Sequence, residues 1–328
     1  MFYRLLSIAA LLLCITTPLF ADTSPNQNNL KQRISELEHL VKKLQSTIDK
    51  IAAKTDAITA TETTLTISGV NVSIENGDGS SATNNGLGNL IIGYNEASQN
   101  QQRSGSHNII VGMEHEYSNY GNLISGTDHN VMSPFGAAVG GTENTTLLDG
   151  AVVVGGSSNA ALDPQTTVVG GSQNSARGGN SVILAGQQNI TSVRDTLIAG
   201  GRGNRNQNNA TLSSVFGGSG NTSHGASSVV VGGSGNISYG GGSVVVGSRS
   251  STPFGENALI LGGQNNNADG IYSVTVGGND NNASGTDSVT TGGNLNNAGG
   301  TSSTVSGGQS REVTGDYDWK AGGLFEDS

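Results

Sequence analysis

Apolar positions along this chain fall into three successive patterns. The first is an apolar run at 5–15 behind Arg4, closed by Thr16-Thr17-Pro18-Leu19-Phe20-Ala21. That layout predicts a secretory signal peptide at 1–21, cleaved after Ala21; the run is too short to cross a bilayer as a mature helix. The second is a heptad stripe. Leu30, Ile34, Leu37, Val41, Leu44, Ile48, Ile51 and Ile58 are spaced 4, 3, 4, 3, 4, 3 and 7, with Thr55 in the missing place. A 3.5-residue period held this long predicts an intermolecular coiled coil over 22–60. Ile34, Val41, Ile48 and Thr55 take the a positions; Leu30, Leu37, Leu44, Ile51 and Ile58 take d. Leu at d with β-branched a residues accommodates a dimer, whereas Ile51 and Ile58 at d and Leu40 at g widen the face towards a trimer. Residues 61–88 read as a β-rich linker, with a β-like stretch at 65–74 and then a Gly/Ser/Asn turn.

The third pattern fills the rest of the chain. The first glycine after each short apolar run falls at 93, 112, 126, 140, 155, 170, 200, 217, 232, 247, 262, 277, 292, 307 and 322, with Ala185 in the same place once. The gaps are 19, 14 and 14, then fifteen in eleven of the remaining twelve, with one of seventeen. Each unit opens with an apolar triplet such as Val229-Val230-Val231 or Leu259-Ile260-Leu261 and continues into Gly-Gly and a small polar stretch. Asn stands four residues after the first glycine at Asn144, Asn159, Asn174, Asn189, Asn204, Asn221, Asn236, Asn266, Asn281 and Asn296, and Ser precedes many triplets. β-Branched triplets are too short for helix and read as strands. Neighbouring strand residues face opposite ways, so a triplet apolar throughout is dry on both faces. One face fills the interior of a coil, and the other requires something outside it, most economically a neighbouring chain.

Composition then changes meaning. Gly (51), Ser (40) and Asn (35) make 126 of 328 residues, which without a period would read as disorder and with one reads as a repeat protein. A net charge of -10 excludes a nucleic-acid partner and docking on anionic lipid. Cys14, the one cysteine, lies in the leader, so neither disulfides nor cysteine-held metal are expected, and no later stretch is apolar enough to span a membrane.

Asn180-Ser181-Val182-Ile183-Leu184-Ala185-Gly186, Gly242-Ser243-Val244-Val245-Val246-Gly247 and Asn257-Ala258-Leu259-Ile260-Leu261-Gly262 resemble the Asn-Ser-Val-Ala-Ile-Gly repeat of trimeric autotransporter adhesin heads (YadA-like). The Asn-x-Ala-x-Gly stretches at 266–270 and 281–285 are similar to the outer half of that repeat. The resemblance covers about 89–316. It implies a left-handed parallel β-roll, a homotrimer, a place on the surface of a Gram-negative bacterium, and binding to extracellular matrix, host cells or another surface ligand. Here the coiled coil precedes the head, the units favour fifteen residues over fourteen, and residues 317–328 are acidic without the amphipathic strands of a C-terminal membrane anchor.

Candidate chemistry is sparse. His107, Glu114, His115, Glu116 and His129 lie close in sequence but lack zinc-ligand spacing, so they read as solvated surface. Gly-x-Gly pairs lack both the aspartates of a calcium repeat and the helix of a phosphate loop. The seventeen-residue unit carries Arg202, Arg205, Asn206 and Asn208, read here as an outward ligand-contact loop. Trp319, Leu324 and Phe325, in a C-terminal cap at 317–328, are expected to close the end of the roll. The expectation is an all-β solenoid of about fifteen-residue coils behind a coiled coil, acting as a secreted or cell-surface, non-enzymatic, adhesin-like fibre without cofactors. A polysaccharide-active β-solenoid enzyme, or an ice- or crystal-binding protein using Thr275, Thr290 and Thr304, are the alternatives.

Overall fold

The structure is a computed structural model and describes residues 27–97 and 101–321. The leader at 1–21, and Leu324 and Phe325 of the expected cap, lie outside the described residues. The chain divides into two units, Met1–Ser73 and Ile74–Ser328.

In the first unit, α1 spans Gln27–Thr55 and buries none of its residues. Its stripe of Leu30, Ile34, Leu37, Val41, Leu44, Ile48 and Ile51 is left 45–61% exposed. The helix stops where helix formers give way to Thr55, whose hydroxyl turns back to the Ile51 carbonyl at 3.0 Å. Ile58 therefore leaves the expected seam. It opens β1 (Ile58–Ala60), which pairs antiparallel with β2 (Leu65–Ile67), Ile58 opposite Ile67. The β-branched pair Ile58-Thr59 favours strand, and the turn between is held by Thr61, whose Oγ1 accepts the Thr64 amide at 3.1 Å.

The second unit is a parallel β-solenoid. Its triplets, from Leu90–Ile92 to Trp319–Ala321, stack in register as one sixteen-stranded sheet. Two-residue strands, from Glu116–Tyr117 onward, make the other wall as a nine-stranded and a five-stranded sheet. The break falls at Thr252–Pro253, where Pro253 has no amide hydrogen to return to the preceding coil.

Why each coil closes is visible in the unit that begins at Val229. Val230, Asn236, Ser238 and Ser243 point inward and are fully buried. Val229 and Val231 flank the inward valine and face out, as alternation requires. The core is thus one aliphatic side chain per coil with three small or amide groups, which accounts for the scarcity of large residues. Asn is needed at its corner because it serves neighbouring coils. The Asn159 Oδ1 accepts the Asn174 backbone amide at 3.0 Å, and the Asn174 Nδ2 donates to the Gly186 carbonyl at 3.0 Å. The same link runs from Asn174 to Asn189 and from Asn189 to Asn204. Buried backbone groups at a corner have no ladder partner of their own, and this column supplies one. At Gly171, the second glycine of its pair, only glycine fits: φ is +76° and a Cβ would stand 2.1 Å from the Gly186 carbonyl oxygen.

Candidate interaction surfaces

The outward face of the long sheet carries largely apolar columns. Each triplet between the two end ones hides its middle residue, as with Val153, Val168, Ile183, Ile198, Val215, Val230, Val245 and Ile260. The two flanking residues form outward columns rich in Val and Leu. Val154, Leu184, Phe216 and Leu261 are each 37–43% exposed. The matching outward column on the short strands is mostly polar by contrast, with Ser175, Arg205, Thr222, Thr252, Asn267, Asn282 and Asn297, and Ala160, Ile190 and Ile237 as its apolar members. With about 4.8 Å between strands, the sixteen-stranded face is roughly 75 Å long. At three residues, or about 10 Å, of width it presents roughly 700 Å², close to the ~800 Å² per partner of a stable interface.

The seventeen-residue coil separates the four residues expected to share one contact loop. Arg202 is exposed at a corner, where it bridges Gln187 and Ser219 in adjoining coils. Arg205 is exposed on the outward column of the short strands, in register with Ile190 and Thr222. Asn206 faces inward: it is fully buried and its Nδ2 donates to Ser213 Oγ at 2.7 Å. Strand alternation dictates this, since Arg205 and Asn206 are neighbours on one strand. Asn208 is exposed and its amide lies against the Nδ1 of His224.

That imidazole begins a feature hidden from a reading along the chain. His224, Tyr239 and Phe254 occupy equivalent places in three coils, and their rings stack. Centroids are 4.7 Å apart for His224–Tyr239 and 5.0 Å for Tyr239–Phe254, with planes within 7°. The periodicity that marked the Asn column also marks this one, at intervals of fifteen. Burial against the loop holds the His224 pKa below the ordinary histidine value.

Two other histidines correct the reading of 107–129 as solvated surface. His115 and His129 are buried and stacked, with ring centroids 5.2 Å apart. They stand in the corner column that Asn fills elsewhere. The Nδ1 of His115 accepts the His129 amide at 3.3 Å, and the Nδ1 of His129 accepts the Asn144 amide at 3.2 Å. The Nε2–H of His129 donates to the Ser125 carbonyl at 2.9 Å. This network assigns both rings the neutral Nε2–H tautomer. Burial lowers both pKa values; the Arg103 charge also disfavours a proton on His115, and a proton on His129 would be disfavoured by one on His115 beside it. In the fourteen-residue coils the ring sits three residues past the glycine and reaches as far as an asparagine sitting four past it. No group of three or more His, Cys, Asp or Glu among the described residues is placed to hold a metal.

The threonines weighed as an ice-binding array do not form one. Thr275 and Thr290 are fully buried and donate to the carbonyls of Asn267 at 2.6 Å and Asn282 at 3.0 Å, while Thr304 faces out. Trp319 is also misplaced by the sequence reading. It stands on an outward column, 68% exposed, with its Nε1 donating to Ser306 Oγ at 3.1 Å, rather than across the end of the coil. No helix among the described residues is long and apolar enough to cross a membrane.

Together the stacked coils, the two strand walls and the corner ladder define a parallel β-solenoid. No family model matches the chain. No curated protein matches it either.

Proposed function

We propose that this protein is a self-associating fibre, secreted or held on the outer surface of a Gram-negative bacterium, and that its work is multivalent binding without catalysis. The observation that carries the reading is the outward apolar face of the sixteen-stranded sheet. A soluble solenoid with one face of Val and Leu columns in water would be aggregation-prone, and covering that face with copies of the same chain removes the exposure. The exposed heptad stripe of α1 calls for the same partner. Three copies fit the YadA-like repeat, whose heads are left-handed β-rolls of three chains, and fit the apolar residues that widen the helix stripe. In a homotrimer each weak site is presented three times, so avidity needs no deep pocket. The leader-like segment at 1–21 supports export.

The test places charge on the face. Val154→Asp with Val231→Asp and Leu261→Asp should yield dispersed monomers that keep β-rich circular dichroism, while Ser175→Asp with Thr222→Asp, on the opposite wall, should leave the assembly intact. Assemblies unaffected by the first set would sink the proposal. Labelling of intact cells against culture supernatant then separates a surface fibre from a released one.

A further inference from the structure

Beyond the fourteen-residue coils, a second group of departures from the repeat lies in one stretch of the solenoid. The seventeen-residue coil, the stacked ring trio and five arginines (Arg177, Arg194, Arg202, Arg205 and Arg249) all lie between Ser175 and Phe254. Coils from 262 to 308 stack without any of them, so the fold itself does not require them.

The short strands place most of these groups along one edge. Ser175, Ile190, Arg205, Thr222 and Ile237 form a single outward column in register. Arg177 lies two residues past Ser175, and its Nε donates back to Ser175 Oγ at 2.9 Å, which brings its guanidinium over that column. Arg205 stands in the column two coils further on, about 10 Å away. The rings of His224, Tyr239 and Phe254 follow at the places equivalent to Arg177 in later coils. Five coil steps separate Arg177 from Phe254, a strip roughly 24 Å long. One end of the ring stack is closed by Gln207 and Asn208 against His224. The other end is open: Phe254 is 52% exposed. Asp269, next in that column, holds its carboxylate to the Asn282 Nδ2 at 2.8 Å, in the following coil.

Charge selects the ligand. The chain carries a net charge of -10, yet Arg177 and Arg205 are both exposed and meet no carboxylate among the described residues. Arg194 is different, since Asp195 pairs with it at 3.0 Å. Two unpaired guanidinium forks suit carboxylate or sulfate groups, and the adjoining rings, whose faces cover one another, present their electropositive edges to the oxygens of a sugar chain. An elongated strip without a pocket suits a chain that runs along the axis, touching successive coils.

We propose that the strip from Arg177 to Phe254 binds an acidic polysaccharide, bearing uronate or sulfate groups, laid parallel to the solenoid axis. This deepens the multivalent-binding reading and rests on it. The strip lies on the short-strand wall, not on the apolar sheet assigned to self-association, so each claim can fail without the other.

The experiment measures binding of the full-length purified protein to immobilised heparin and polygalacturonate, with dextran as neutral control, and records the assembly mass of the same samples. The wild type should bind both acidic chains, release with added salt, and ignore dextran. Arg177→Gln with Arg205→Gln should weaken binding on the order of tenfold, the equivalent of ~1.4 kcal/mol. Tyr239→Ala with Phe254→Ala should weaken it while leaving the salt dependence in place. Arg177→Lys with Arg205→Lys, which keeps the charges, guards against misfolding and should retain partial binding. Equal binding to dextran, no binding to either acidic chain, an unchanged affinity in the glutamine variant, or preference for anionic phospholipid vesicles would each overturn the proposal. Lost glycan binding with an intact assembly condemns the strip alone, whereas a monomer that still binds glycan condemns the association alone.

Discussion

Asn174→Ala isolates what the corner column contributes. Asn174 is buried, its Oδ1 accepts the Asn189 amide at 3.0 Å, and its Nδ2 reaches the Gly186 carbonyl at 3.0 Å and Asn159 Oδ1 at 3.1 Å. Truncation leaves the Asn189 N–H buried with no acceptor, at about 1–3 kcal/mol. The Gly186 carbonyl is only partly orphaned, because it also accepts the Ser172 amide at 3.0 Å. A loss of roughly 2–4 kcal/mol follows, once a further ~1 kcal/mol is allowed for the amide donor. Solenoid stability is a sum of nearest-neighbour terms, so the loss should be local. Hydrogen exchange reads it directly: the Asn189 amide and the backbone amides of the two flanking coils should exchange on the order of thirty-fold faster or more, with coils beyond 262 unchanged. Asn267→Ala, whose side chain lies on the outer wall, serves as control and should stay within about 0.5 kcal/mol. If Asn174→Ala were as stable as that control, the ladder would be decorative and the account of the corner wrong.

Two further outcomes follow from particular residues. His115 and His129 are neutral in the fold with lowered pKa values, whereas in the unfolded chain they take the ordinary value near 6.5. The unfolded state therefore binds more protons below that pH, and stability should be full above ~6.5 and fall as pH drops towards the lowered folded values. Urea titrations from pH 7.5 to 5 should show this loss, and a His115→Asn/His129→Asn variant should show less of it; identical profiles would refute the assignment. Ala185 holds φ +59°, a left-handed conformation that glycine supplies in the equivalent coils. Ala185→Gly should therefore raise stability by up to about 1 kcal/mol, after the entropy of the freer unfolded chain is deducted, and with it the urea midpoint; a lowered midpoint would contradict it.

Much of the fold was legible because its unit is local and copied. The fixed spacing of glycines, the triplets and the Asn positions each carry one physical requirement: a left-handed corner, an extended strand and an acceptor for the next coil's amide. The inward turn of Val230 between two outward valines follows from strand alternation once the coil is accepted. What escaped a linear reading depends on stacking. His115 and His129 look like scattered surface histidines until fourteen-residue coils bring one over the other. The ring trio of His224, Tyr239 and Phe254 is separated by fifteen residues each time, and only the stacked coils show it as a surface. Asn206 looked exposed because Asn is polar, but its strand position turns it inward. Ile58 matched the heptad spacing, yet its neighbours favour strand and the helix had already ended at Thr55.

The central claim is that the apolar sheet face and the stripe of α1 are covered by copies of the same chain. Sedimentation equilibrium of the purified protein at micromolar concentration tests it most directly. The account predicts a single species near three times the 33.1 kDa chain mass, less any cleaved leader, that persists on dilution. A stable, well-folded species at one chain mass across that range would contradict it.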